Sequence, residues 1–509
     1  MQKNHSKVPL ALAGRALIAS FSIAIGLGAA LPAWSQSQLP TLGDGADLTA
    51  SAERRLGDRI IRELYRDPDY IDDPVLVEYV QTLWQALLVA ARERGELSPE
   101  LDERFAWEVL LGRDRSVNAF ALPGGYLGVH LGLIGVVTSR DELASVLAHE
   151  LSHVTQRHIA RLMAQQGRMA PWMWGAMILG ALAASKSPGA AQALVVGGQA
   201  AAMQSQLNFS RDMEREADRV GYGLMAPAGF APQGFVSMFD KLQQANRLND
   251  NGSWPYLRSH PLTTQRIADM QARQLPQASA VMPATTLEHG MVAARARVLS
   301  NPGVDVLRQW LTEPQGSGFS TLAPVRQGAV LYAAVLAASE LRDPAAARAL
   351  LSRLLDLAHG DAAALRQVQL LSAEIELVAG QAQAAQRLVP QGAGRPELLL
   401  RAQALLQTGG AAAMVGPLQT WVALHPRDAG AWHLLASVWQ GQGQMLRAVR
   451  AEAEAHAARY DYAAAVDRFK AGQALARQST AAGDFVEASI IDTRLRAVES
   501  LLREQAAER

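Results

Sequence analysis

The sequence predicts a mainly α-helical protein in two parts: an α+β domain with a small sheet, followed by an array of stacked helix pairs. Three observations predict this. Short apolar runs separated by a Pro-Gly-Gly turn, between residues 105 and 130, read as strands of a small sheet. A capped helix with apolar residues at helical spacing follows them. From about Leu287 onward strand formers are sparse, and the composition shifts to Ala, Leu, Arg and Gln.

The chain has 509 residues, more than one ordinary core holds. With 49% hydrophobic and 19% charged residues it is expected to fold over most of its length. The formal net charge is zero and basic residues are scattered, so nucleic acid is excluded as a partner. There is no cysteine. A disulfide framework, a thiol nucleophile, a Cys-based zinc site and a lipoprotein acceptor are thereby ruled out. Any metal must be held by His and carboxylates.

Residues 1–35 have the layout of a signal peptide. Lys3, Lys7 and Arg15 precede an apolar run from Ala16 to Leu31, and Ala33-Trp34-Ser35 supplies small residues two positions apart. An uncleaved anchor is the alternative, but the run is short for a span. Residues 36–285 are then expected to form the first domain and 287–509 the second. Ser51–Arg94 reads as helices broken near Asp67-Pro68-Asp69. Phe105–Leu111, Asn118–Leu122 and Tyr126–His130 read as strands, the last two forming a hairpin around Pro123-Gly124-Gly125. Ser139 and Glu142 make a capping box for the next helix, where Leu143, Val146, Leu147, Leu151 and Val154 mark a buried face. Residues 171–202 are an apolar insertion, each half too short to cross a bilayer. The expected arrangement is a helical hairpin buried against the domain, with peripheral membrane contact as the alternative. Ser210–Met225 is a further helix, and Gln274–Thr286, with two prolines, is the linker.

In the second part turn signals recur at Asp343-Pro344, Gly380, Gly409-Gly410 and Gly443. Their spacing is close to that of stacked helix pairs. Trp432, Leu435, Ala436 and Trp439, then Ala448 and Ala455, then Ala465 with Phe469, fit a tetratricopeptide-like pattern. Small residues let paired helices approach closely and aromatics fill the gaps.

The chemistry concentrates in His149-Glu150-Leu151-Ser152-His153, an H-E-x-x-H sequence. Two His at i and i+4 lie one turn apart on one helix face and can share a zinc ion. Glu150, displaced around the axis, can act on a water at that ion as general base and later protonate the leaving amine. A third ligand must come from elsewhere. Among Met213–Asp218, Glu214 and Asp218 share a face while Glu216 points away. We assign Glu214 to the metal and Asp218 to the far ring nitrogen of a ligating His, where it fixes tautomer and orientation. Glu216 is read as part of a solvated charged face, and His158, five residues past His153, as structural or electrostatic. One Zn2+ per chain is expected, from the His and carboxylate donor set.

This arrangement resembles the zinc metallopeptidases of the CAAX prenyl protease and heat-shock membrane protease type. The resemblance rests on His149-Glu150-x-x-His153 with Glu214-x-x-x-Asp218, on Asn118–Gly125, and on His260-Pro261-Leu262 with Arg266. The run from His153 to His158, the N-terminal segment and the C-terminal helices make the whole layout similar to that of the periplasmic beta-barrel assembly-enhancing proteases. It implies a zincin-like domain followed by tetratricopeptide-like repeats, arranged as a curved array against it. It also implies that His260 is a regulatory fourth zinc ligand or, with Arg266, an oxyanion stabiliser. Asn118 and Ala119 would belong to an edge strand that pairs with substrate. Misfolded or stalled outer-membrane proteins as substrates, and the barrel-assembly machinery as a partner of the repeats, come from the resemblance alone.

The expected function is therefore a periplasmic zinc endopeptidase that degrades such proteins and assists their assembly. Two rivals belong to other classes. One is a chaperone or scaffold whose repeats recruit clients while the zinc site stays latent. The other is a zinc amidase acting on cell-wall peptides.

Overall fold

The computed structural model describes residues 48–165, 171–186, 209–247, 254–273, 285–392, 394–478 and 483–507. The expected signal peptide, most of the linker and the second half of the 171–202 insertion lie outside these residues. Helices Ala50–Arg66 and Pro74–Glu93 open the described chain, capped by Thr49 and Asp73, whose side chains accept from Ala52 N–H and Leu76 N–H. Pro68 and the Asp residues around it end the first helix. The residues just after them, Tyr70–Ile71, form a two-residue strand (β1) that the apolar pattern did not reveal.

Glu108–Gly112 (β2), Ala119–Leu122 (β3) and Tyr126–His130 (β4) complete a four-stranded sheet in the order β1-β2-β4-β3. β3 and β4 form the expected antiparallel hairpin, and β4 runs parallel to β2. The turn requires its glycines. Gly124 and Gly125 sit at φ +78° and +82°, and a Cβ on Gly124 would lie 2.8 Å from the Arg54 backbone. β3 is therefore an edge strand, lying over the helix Arg140–Thr155.

That helix starts at the expected Ser139 cap, with the reciprocal bond falling one residue before the cap. Ser139 Oγ accepts from Glu142 N–H, and the Glu142 carboxylate reaches back to Thr138 N–H at 2.6 Å. It differs from the expected one-sided helix, because every residue from Asp141 to Thr155 is buried. The helix is enclosed by the sheet and by helices Pro74–Glu93, Arg211–Met225 and Gln233–Arg247. Polar residues on all its faces must consequently find partners inside the protein. Gly221 sets the closeness of one crossing: a Cβ there would lie 3.0 Å from the Ala148 carbonyl and the His149 nitrogen.

The apolar insertion is described over Pro171–Lys186, a helix whose Trp174, Met177 and Ile178 are buried in a cluster with Leu56 and Ile60. Among the described residues one helix, Pro74–Glu93, is long and apolar enough to cross a membrane. Its Leu76, Val80, Trp84, Leu87 and Leu88 are sealed in the protein core.

From Leu287 to Ala507 the regular secondary structure of the described chain is all helical, with neighbouring helices packed on one another. Trp432, Leu435, Ala436 and Trp439 are buried on helix Ala429–Gly441, against Ala448 and Ala455 of Met445–Ala458. Gly380, Gly409 and Gly443 take positive φ at the helix ends where turns were expected. This region does not stand apart, since residues 46–509 cluster as one unit. Arg295 pairs with Asp73 at 2.6 Å, Arg395 with Asp72 at 2.8 Å and Arg427 with Glu108 at 2.8 Å. Tyr126 and Tyr460 hydroxyls meet at 2.5 Å across the same seam.

Candidate metal centre

Two separate segments converge on the H-E-x-x-H helix. Within that helix His149 and His153 turn their Nε2 atoms toward one point, 3.0 Å apart. Arg211–Met225, capped by Ser210, brings Glu214 to 3.5 Å from both of these nitrogens. The short helix Tyr256–Ser259 ends at His260, whose Nδ1 lies 3.4 Å from His149 Nε2 and 3.0 Å from the Glu214 carboxylate. Ligand atoms of all four residues lie within 4.8 Å of one another, and all four residues are buried.

These distances test whether zinc fits. Donors about 2.0–2.1 Å from a tetrahedral zinc stand about 3.3–3.4 Å from each other. The five contacts above, which between them use both Glu214 oxygens, run from 3.0 to 3.5 Å and so lie close to that length. Three imidazoles and one carboxylate are also the donor types zinc takes in proteins. The cluster fits one zinc ion per chain.

Glu150, fully buried, flanks the cluster. Its Oε2 accepts from the Ala121 N–H of β3 at 2.9 Å, while Oε1 has no hydrogen-bond partner and lies 3.4 Å from His260 Nε2. A buried carboxylate oxygen left open beside a metal site is available to a proton.

Asp218 and Arg266 support the cluster. Asp218 Oδ1 is 3.0 Å from His149 Nδ1, the ring nitrogen facing away from the other ligands. Arg266 donates to both Asp218 oxygens, at 2.6 and 2.8 Å, and to the Pro261 carbonyl; its NH1 lies 2.8 Å from Glu214. Burial works against charge on Asp218, but the Arg266 and His149 bonds outweigh it and hold its carboxyl below the usual range. Glu214 is likewise held well below, with His260 and His149 overcoming burial. Burial depresses His149 too, yet its bonds to Asp218 and Glu214 raise it to about 9.

Two residues that the sequence reading left aside belong to this site. His158 Nδ1 is 2.8 Å from His153 Nδ1, and its Nε2 is 3.1 Å from Glu216, which also pairs with Arg161 at 2.8 Å. Glu216 is therefore not simply part of a solvated face: it joins His158 to Arg161. Counting on from His153 along one continuous helix placed His158 off the ligand face. The helix instead ends at Thr155, and Arg157 takes φ +52°, which returns the chain onto His153. Such a conformation costs about 1–2 kcal/mol in a residue with a Cβ. Arg157 is held in it by Glu53, at 3.1 Å, and by the Leu48 carbonyl. Phe209, also missed, stacks on the His153 ring with centroids 4.0 Å apart.

Asn118 and Ala119 lie where β3 begins. Ala119 pairs with Val129, and the Asn118 carbonyl accepts from His130 N–H. The Asn118 side-chain oxygen is buried without a partner. The backbone group of β3 that reaches Glu150 is that of Ala121, which the sequence did not single out.

Comparison with known proteins agrees with this geometry. Residues 85–274 match the model of peptidase family M48. The beta-barrel assembly-enhancing protease of Escherichia coli is 31% identical over 458 residues, 88% of this chain and 90% of that protein. A Vibrio cholerae chain described in the same terms is 35% identical over 338 residues, 64% of this chain and 65% of its own length. The mitochondrial metalloendopeptidase OMA1 of Arabidopsis thaliana is 31% identical over 196 residues, 38% of this chain and 36% of its own. A described H-E-x-x-H cluster fit for zinc, and relatives aligned over most of the chain, lead to one conclusion: the chain is a zinc metalloendopeptidase of family M48, and within it belongs to the beta-barrel assembly-enhancing proteases.

Proposed function

We propose that this chain cleaves internal peptide bonds of unfolded or stalled outer-membrane proteins in the periplasm. The observation that carries the chemistry is the buried cluster of His149, His153, Glu214 and His260 donors with the open Glu150 oxygen beside it. The class of substrate is supported by the relatives, whose name speaks of beta-barrel assembly.

His149, His153 and Glu214 would hold the zinc ion. When bound, zinc polarises a carbonyl and lowers the pKa of a coordinated water to about 7. Glu150 acts as general base and acid. The Ala121 N–H holds Oε2, so that Oε1 can take a proton from water and pass it to the leaving amine. Asp218 orients His149, and Arg266 clamps the Asp218 and Glu214 carboxylates against the pull of burial. A substrate in extended form would add to the β3 edge near Asn118 and Ala119, laying its backbone beside Glu150. The expected repeats would then present clients and dock on the assembly machinery.

His260 acts as a latch in this reading. Its Nδ1 takes the fourth corner of the donor set, and its Nε2 faces the Glu150 oxygen that catalysis needs. The test is a casein-type cleavage assay on the purified chain. His260→Ala should raise turnover, and Glu150→Gln should lower it by about 10²–10⁴-fold with zinc retained. Loss of turnover in His260→Ala would instead assign His260 to the oxyanion. An envelope phenotype that survives Glu150→Gln would favour a chaperone over a peptidase.

A further inference from the structure

We infer that His158 is a positioning residue for the metal ligand His153, and that Glu216, anchored by Arg161, sets the orientation of His158. The inference rests on the ligand role proposed for His153.

His153 turns Nε2 toward His149 and Glu214, at 3.0 and 3.5 Å. A neutral imidazole that offers Nε2 to a metal carries its proton on Nδ1. That Nδ1 stands 2.8 Å from His158 Nδ1, and two nitrogens at this separation share one proton. His158 Nδ1 must then be the bare acceptor, and its own proton must sit on Nε2. Nε2 is 3.1 Å from Glu216, an obligate acceptor when ionised. Arg161, 2.8 Å from the same Glu216 oxygen, keeps that carboxylate charged and in place. Each group thus dictates the proton position of the next, and only one assignment satisfies all three bonds. The reverse tautomer of His158 would oppose two protons at the His153 contact, unless His153 moved its own proton to Nε2 and so lost the lone pair it offers the cluster.

The burial pattern agrees. His153 and His158 are fully buried, whereas the Glu216 side chain keeps 29% of its surface. Water therefore reaches the outer end of the chain of bonds and not the inner one, so no solvent molecule can substitute for His158.

The experiment measures zinc affinity by chelator competition, together with melting of the metal-free protein, for the wild type, His158→Phe, Glu216→Ala and Glu216→Gln. Outer partners of ligating histidines contribute about 10–100-fold in metal affinity. His158→Phe should fall in that range. Glu216→Ala, changed at a partly exposed position that leaves the core intact, should weaken zinc by about tenfold, in the lower part of the same range. Glu216→Gln keeps an acceptor oxygen and should regain most of the affinity. Metal-free melting should be unchanged in both Glu216 variants. Wild-type zinc affinity in His158→Phe and Glu216→Ala would overturn the inference, as would a lower metal-free melting point with zinc affinity unaltered. A wild-type chain that binds no zinc would show instead that the ligand reading itself had failed.

Discussion

Two regions of this molecule bury their residues by opposite means. Around the H-E-x-x-H helix the interior is polar: His149, Glu150, His153, His158, Glu214, Asp218, His260 and Arg266 are all at most 5% exposed. From Leu287 onward the interior is largely alanine and leucine, with Ala334, Ala337, Ala347, Ala364, Ala402 and Ala465 fully enclosed. In the first region each buried group is tolerable only because a specific atom faces it. In the second, helices approach because nothing large stands between them. The first region is therefore sensitive to single atoms and the second to volume.

The predictions sharpen that contrast. Glu150→Gln changes one atom, and should reduce peptide cleavage by about 10²–10⁴-fold while zinc content and melting stay at wild-type values. A folded, zinc-loaded and fully active variant would break the contrast at its strongest point. Phe469→Ala probes the other side. Phe469 fills the gap between Ala465, Ile491 and Leu495, and its removal should cost about 3–5 kcal/mol in denaturant unfolding. The zinc affinity of the folded protein should not change.

The boundary between the regions carries a pH effect. His289 lies on the first helix of the second region, bonded to Tyr79 and to the Val137 carbonyl. Burial, outweighing the pull of that carbonyl, holds it down to about 4. An unfolded His titrates near about 6.5. Between these values the unfolded chain binds the proton that the folded chain refuses, so stability falls as pH drops from about 6.5 to about 4. The loss should approach about 3 kcal/mol, and His289→Gln should remove that part of the pH dependence in urea melts. Smallest of all, Tyr460→Phe deletes one hydroxyl at the seam with Tyr126 and should cost about 1 kcal/mol.

Legibility in the sequence follows the same division. The H-E-x-x-H helix, its Ser139 cap, the β3–β4 hairpin and the Glu214–Asp218 spacing were readable because each depends on contacts within a few residues. The two-residue β1 was not, since it exists only through pairing with β2, forty residues on. His158 and Glu216 escaped because a helical periodicity carries no sign of a left-handed Arg157, which breaks it. Ala121 escaped because its contribution is a backbone N–H, which any residue supplies. In the helical region the buried Trp432, Ala436 and Phe469 were legible as volume. The ion pairs of the seam, such as Arg295 with Asp73 and Arg395 with Asp72, join residues more than two hundred positions apart and leave no local signature.

Peptide cleavage here depends on one coordination sphere, which zinc-edge X-ray absorption of the purified chain observes directly. Four nitrogen or oxygen neighbours are expected at about 2.0–2.1 Å, with scattering from three imidazoles that falls to two in His260→Ala and is unchanged in Glu150→Gln. A six-coordinate shell dominated by water, or the same imidazole scattering after His149 and His153 are both replaced, would contradict it.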